Sequence, residues 1–320
     1  MIKNGNIKRF LQNNAVFIAI LVLVIITIIV EPKFLLPENL LNIMRQFGPL
    51  SFVALGMTLA IIGGFIDLSV PGIISLVAVL TISFIDRIGQ VGALIAGVTA
   101  GCLMGILTSI IIISCGALSS AESVFLTFGM SAVYSALALL YTGGATQHMS
   151  YLDSSTTIFD TIGTGQIGIV PFSFILFVVL MLTLYVFQTK TRMGREICLT
   201  GGNKVAARLV GISIEKSVLL VFAISGTMAA VGSIVLFSRV TTASPLLGQG
   251  YETDAILAVV VGGTPLSGGK GSVLRTMMGV MLVTLLSNCM NLLGVSTYMQ
   301  SVFEGAVLIM AIWIDHRRQK

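Results

Sequence analysis

Charge is what this chain carries least of. Lys, Arg, Asp and Glu together make up 10% of its 320 residues, against about 25% in a typical soluble domain. The shortage excludes a solvated domain of any size. A hydrophobic content of 56% and a mean hydropathy of +1.02 place the chain in lipid instead. Cysteine is also rare. Cys102, Cys115, Cys198 and Cys289 have the spacing of neither a metal site nor a disulfide framework, and read as reduced and structural. The two histidines, His148 and His316, stand apart in polar segments, so neither a metal nor another cofactor is expected. The isoelectric point of about 9.1 comes from basic loop anchors and implies no nucleic-acid partner.

What is present is a succession of apolar runs, each near the roughly 20 residues needed to cross a bilayer. Ten are read: Ala15–Val30, Leu41–Ile62, Leu68–Ile85, Val91–Ile113, Ala121–Tyr141, Ile169–Gln188, Ser217–Phe237, Thr253–Gly263, Ser272–Met290 and Tyr298–Ile314. The expected fold is an all-α polytopic membrane protein of about ten transmembrane helices. It is one transmembrane domain over residues 1–320, with both termini cytoplasmic and membrane lipid around it. Thr253–Gly263 is too short to cross alone unless its flanks continue the helix. The first run is followed by Glu31-Pro32-Lys33 rather than a small-residue cleavage site, so it reads as a retained span. With the N-terminus inside, only Lys33, Arg45, Arg87 and Arg239 of the eighteen Lys and Arg face outward, as the positive-inside bias requires.

The strongest basic interruption is Thr189–Ile214. It holds Lys190, Arg192, Arg195, Lys204 and Arg208 against one acid, Glu196. Gly201-Gly202-Asn203 breaks the chain, Val205, Ala206, Leu209 and Val210 then follow helical spacing, and Gly211 ends the helix. Two readings fit: a topological anchor, or a short helix whose small Ala206 and Ala207 admit a cytoplasmic partner. Outside the membrane, Gly143–Gly168 and Ser238–Tyr251 are either solvated connectors or landing surfaces.

Gly268-Gly269-Lys270-Gly271-Ser272 is not a phosphate loop. The motif needs a hydroxyl residue directly after the lysine and a glycine five before Gly269, where Gly271 and Thr264 stand. Asp67 is expected to cap the next span, with Ser69 beside it and Pro71 in the first turn, in preference to a direct solute contact. Glu122, Asn288, Asn291, Gln300 and Glu304 are the other polar groups in or near spans, and either face a pathway or bond between helices. The row Gly97, Gly101, Gly105 suits close helix packing. Gly63-Gly64 and Gly262-Gly263, each followed by Leu-Ser, form a weak internal echo.

Read together, Gly63-Gly64-Phe65-Ile66-Asp67-Leu68-Ser69, Gly201-Gly202-Asn203 through Gly211, Gly250-Tyr251-Glu252-Thr253-Asp254-Ala255-Ile256, Gly262 through Gly271, and Asn291-Leu292-Leu293-Gly294-Val295-Ser296 resemble the membrane-spanning permease subunits of bacterial ribose-type ABC sugar importers. Two departures stand out: Phe65 lengthens the usual Gly-Gly-Ile-Asp-Leu-Ser turn, and Pro71 replaces a common glycine.

The resemblance implies residence in the bacterial cytoplasmic (inner) membrane and a transport role rather than an enzymatic one. It also implies three kinds of partner: a cytoplasmic ATP-binding subunit, an extracytoplasmic solute-binding protein, and a second permease, identical or a close paralogue. ATPase coupling would fall to Gly194, Gly201, Gly202, Asn203, Ala206, Ala207, Arg208 and Gly211. The pathway candidates are Asp67, Ser69, Asn288, Asn291 and Glu304. The competing reading is an ion-gradient-driven secondary transporter, which would need essential acids within the membrane.

Overall fold

The computed structural model describes residues 15–319. The basic segment Met1–Asn14 and Lys320, and with them the expected placement of both termini, lie outside the described residues. Helices dominate: α1 (Ala15–Val30), α2 (Pro37–Ile62), α3 (Val70–Ser114), α4 (Ser120–Thr142), α5 (Thr157–Thr164), α6 (Phe172–Lys190), α7 (Arg192–Gly202), α8 (Lys204–Leu209), α9 (Ile214–Val240), α10 (Tyr251–Val261), α11 (Val273–Leu292) and α12 (Thr297–Gln319). Four two-residue strands form two clasps. β1 (Gln147–His148) pairs antiparallel with β4 (Thr242–Ala243), and β2 (Gln166–Ile167) with β3 (Val170–Pro171).

Six described helices, α2, α3, α4, α6, α9 and α11, are long and apolar enough to cross a membrane, which makes this a multi-pass integral membrane protein. The expected ten spans are thus matched only in part among the described residues. Two expected spans, Leu68–Ile85 and Val91–Ile113, fall within the single run α3, which breaks only at Gly89 (φ 73°, ψ 169°). There the chain turns back. A methyl group on Gly97 would collide with the Thr81 hydroxyl, whereas in a straight helix those positions would stand about 24 Å apart. Of the other expected spans, α1 has 16 described residues, and α10 has 11, too few for α10 to cross upright at about 1.5 Å per residue. In α12, Gln300 and Glu304 dilute the apolar run.

The core sits around α2, which is buried at every residue from Phe47 to Ile62. α9 packs along both α2 and α3. In lipid there is little hydrophobic drive between helices, so close backbone approach has to supply the attraction. Gly101 and Gly105 provide it: a Cβ on either would strike the α9 backbone at Gly226 or Phe222. The glycine row therefore serves packing, as its spacing suggests.

The internal echo has a local cause. After α2, Gly64 N–H bonds Ile61 O and Phe65 N–H bonds Ala60 O; after α10, Gly263 N–H bonds Val260 O and Thr264 N–H bonds Val259 O. Both are the same glycine-ended helix cap. Gly116 and Gly294 repeat it, so cap chemistry explains the likeness without an internal duplication.

The stretch 143–168 is more than a connector. β1 is clasped to β4, and α5 turns Phe159 and Ile162 inward, with Phe159 stacked on Phe237 at 5.5 Å. The Val240 end of α9 is thus covered by structure.

Candidate functional site

The basic segment is built on three glycine turns that meet. Gly201 leaves no space for a side chain: a Cβ there would overlap the Ile62 carbonyl and stand 2.8 Å from Gly269 N. Gly269 N–H donates to Ile62 O at 2.8 Å. A Cβ on Gly268 would lie 2.8 Å from Gly64 Cα, and one on Gly269 2.5 Å from Gly202 Cα. Backbone therefore touches backbone between the end of α2, the end of α7 and the 268–271 turn. No single helix pattern reports such a meeting.

Upstream, the Thr191 hydroxyl accepts from Gly194 N at 3.0 Å and caps α7, while Gly194 packs against the carbonyls of Phe187 and Gln188. Asn203 caps α8 by accepting from Ala206 N at 3.0 Å, and Gly211 (φ +82°) ends it. Arg208 reaches Glu215 at 3.3 Å. The two small residues of α8 differ in place: Ala207 is buried against the bundle, whereas Ala206 faces out. Beside Ala206, Val205, Leu209 and Val210 are 70%, 83% and 72% exposed. α8 is therefore seated on the bundle on one side and apolar and exposed on the other. Next to it, a cavity of about 380 Å³ opens between α7 and the start of α9, lined by Met193, Ile197, Glu215, Lys216 and Leu219 among others.

The pathway candidates fall into two groups. Asp67 and Ser69 are fully buried. Asp67 Oδ1 accepts from Ser69 N at 2.9 Å and from Ser69 Oγ at 2.5 Å, and Oδ2 accepts from Ser225 Oγ at 2.6 Å. The carboxylate thus holds the turn that enters α3 and ties it to α9, but its backbone bond is to Ser69, ahead of the helix, and not to the first-turn N–H groups the expected cap would take. Ser69 takes the N-cap position without a side-chain cap bond, and Pro71 lies in the first turn. Ser225 lies eleven residues into the 27-residue α9, about 16 Å from its Ile214 end and so near the middle of that helix. α3 therefore begins level with the middle of α9. α10 begins beside it: Gly248 N–H donates to Ser75 Oγ at 3.0 Å, and Gly248 packs on the Pro71 carbonyl. Two helices thus start against each other beside the middle of α9.

The second group lies on α11 and α12. Buried Asn288 exchanges side-chain hydrogen bonds with Asn39 at 3.0 and 3.2 Å. Exposed Asn291 accepts from Gln300 at 2.8 Å, and Glu304 accepts from Ser287 at 3.2 Å. Among the described residues no hydrogen bond joins this group to Asp67. Ser225 and Asn39 are not among the residues the sequence singles out: Ser225 is one of four serines spread along α9, and nothing marks Asn39. An apolar cavity of about 600 Å³ between α3, α5, α6 and α9 is lined by none of the five candidates.

Comparison with known proteins supplies the context for this geometry. The family model described as branched-chain amino acid transport system / permease component matches residues 39–312. The ribose import permease protein of Escherichia coli strain K12 is 32% identical over 314 residues, covering 98% of this chain and 96% of that one. The ribose import permease protein of Bacillus subtilis strain 168 is 34% identical over 309 residues, 96% and 94% of the two chains. The galactose/methyl galactoside import permease protein of Escherichia coli K12 is 31% identical over 324 residues, again 96% and 94%.

Proposed function

The chain belongs to this family of transport permeases and is of the ribose-type ABC sugar kind, and from that membership we propose that it forms the translocation path of an ATP-driven importer for a monosaccharide-sized sugar. It resides in the bacterial inner membrane and acts in transport, not in catalysis. Its partners are a cytoplasmic ATP-binding subunit, an extracytoplasmic solute-binding protein and a second permease copy or close paralogue. The likeness to permeases whose names carry ribose and galactose supports a sugar as the solute class.

The observation that carries the coupling role is the exposed apolar face of α8, Val205, Leu209 and Val210, on a segment locked by backbone contact to Ile62 and Gly269. A helix free to swing would absorb a partner's movement; one seated on packed glycines passes it on. Asp67 and Ser225 then act on the pathway by fixing where α3 begins, and Asn288, Asn291 and Glu304 shape the α11–α12 side.

The test is reconstitution in vesicles with the ATP-binding subunit and binding protein, offering labelled D-ribose, D-galactose and D-allose in turn. ATP-dependent uptake that survives collapse of ion gradients supports the importer. Uptake that needs an ion gradient and no ATP-binding subunit would establish the secondary transporter instead.

A further inference from the structure

Lys204, the first residue of α8, points away from solvent and inward to the glycine turns. Its ammonium donates to the Leu118 carbonyl, lies 3.5 Å from the Gly64 carbonyl, and stands 4.1 Å from the centre of the Phe65 ring. The same Gly64 carbonyl accepts from Ser120 Oγ at 2.6 Å. One cation thus gathers the turn after α2 and the connection between α3 and α4 onto the first residue of the partner-facing helix. Burial pushes the Lys204 amine down from its ordinary range, while the charge of Glu122 pulls it back up.

Phe65 is the residue by which this turn exceeds the pattern it resembles. It is buried, it packs edge-on against Phe222 of α9 at 6.0 Å, and it lies two residues before Asp67. Phe222 is one helical turn from Ser225, the partner of Asp67. From α8 inward the contacts therefore run Lys204, Gly64 and Phe65, Asp67, Ser225. A cation over an aromatic face is worth about 0.5–2 kcal/mol, and more as water is excluded. Such a contact is directional enough to make two segments move as one.

We propose that Lys204 and Phe65 are positioning residues that carry displacement of α8 to the Asp67 turn, and hence to the point beside the middle of α9 where α3 begins. This rests on the coupling role of α8 proposed above. Neither residue is assigned a solute contact.

The test uses the permease assembled with its ATP-binding subunit, with ATP and orthovanadate as the probe and hydrogen exchange as the readout. In the wild type, trapping should change exchange both in residues 205–211 and in residues 63–69. In Lys204→Met the response at 205–211 should persist, because the docking face is intact, while that at 63–69 falls by about fivefold or more. Lys204→Arg, which keeps a cation over the ring, should retain the 63–69 response. Phe65→Leu leaves the ammonium and its carbonyls in place, and should lower that response by at least about twofold; it decides the matter if Lys204→Met does not assemble. A 63–69 response in Lys204→Met equal to wild type overturns the link, as does its loss in Lys204→Arg or the loss of both responses together. A wild type with no response at 205–211 removes the coupling role of α8 itself, which is a separate result.

Discussion

Ser225 donates its hydroxyl to Asp67 Oδ2 at 2.6 Å across 158 positions of sequence. The bond joins the turn that starts α3 to the middle of α9, and it closes the acceptor set of a carboxylate with no exposure to solvent. A buried acceptor left without its donor, or a donor without its acceptor, costs about 1–3 kcal/mol. Asp67→Ala should therefore destabilise the purified protein by about 1–3 kcal/mol and Ser225→Ala by about 1 kcal/mol. The double variant should cost less than the sum, since both changes remove one shared bond. Thermal unfolding in detergent measures all three. Strict additivity would mean the two side chains do not interact.

The glycine turns make a sharper prediction, because space rather than bonding decides it. Gly201→Ala forces a methyl into the Ile62 carbonyl and toward Gly269 N, both of them backbone. Overpacking against groups that cannot move aside costs about 1–3 kcal/mol. Gly211→Ala meets no atom within 4 Å but keeps φ at +82°, so its cost is the left-handed strain alone, about 1–2 kcal/mol. Gly129→Ala in α4 meets neither obstacle and should be neutral or mildly stabilising. Melting temperatures of the three should rise in that order, with Gly129→Ala highest. A Gly201→Ala variant as stable as Gly129→Ala would show that the turns are not in contact.

This contrast marks how far the sequence could be read. The bounds of α2, α6 and α9 follow from apolar run length, and the α8 segment follows from Asn203, Gly211 and the basic flank, because these are local signals. Gly97, Gly101 and Gly105 announce close packing, since their spacing repeats along one helix. The meeting of Gly64, Gly201 and Gly269 does not announce itself: it joins three junctions that no period connects. Hydropathy also counts α10 as a span when it is a half-length helix starting beside Pro71, whereas its division of α3 into two runs matches the turn-back at Gly89. Ser225 and Asn39 stay hidden for the same reason as the glycine meeting. A polar residue in an apolar helix reveals that it needs a partner, not which one.

Sidedness can be tested with thiol chemistry. Asp153 is exposed in the 143–168 stretch, and Cys115 is exposed at the opposite end of the bundle, after α3. A cysteine at Asp153 should react with an impermeant maleimide in intact cells, whereas Cys115 should react only after permeabilisation. Cys198, the obvious reporter in the basic segment, is a poor one. It is only partly exposed, and burial pushes its thiol above the ordinary range, so it holds less of the reactive thiolate on either side. Labelling of Cys115 in intact cells would reverse the orientation.

The docking face offers the most direct test of coupling. Ala206 is exposed beside Val205 and Leu209, while Ala207, one residue on, is buried. Tryptophan at Ala206 should project into the partner and block its seating, as overpacking does in a core, while leaving the permease folded. Tryptophan at Ala207 should instead prise α8 off the bundle and lower the melting temperature. Leu209→Asp, 83% exposed, should cost little stability, because exposed positions contribute within about 0.5 kcal/mol, yet it places a charge in an apolar contact. Ala206→Trp and Leu209→Asp should therefore share one phenotype: normal insertion, a melting temperature near wild type, and loss of the ATP-binding subunit on co-purification. Binding of the loaded solute-binding protein should persist in both, since that surface lies across the membrane. Wild-type co-purification and wild-type ATP-dependent uptake in both variants would return α8 to the plain role of a basic anchor that only fixes topology.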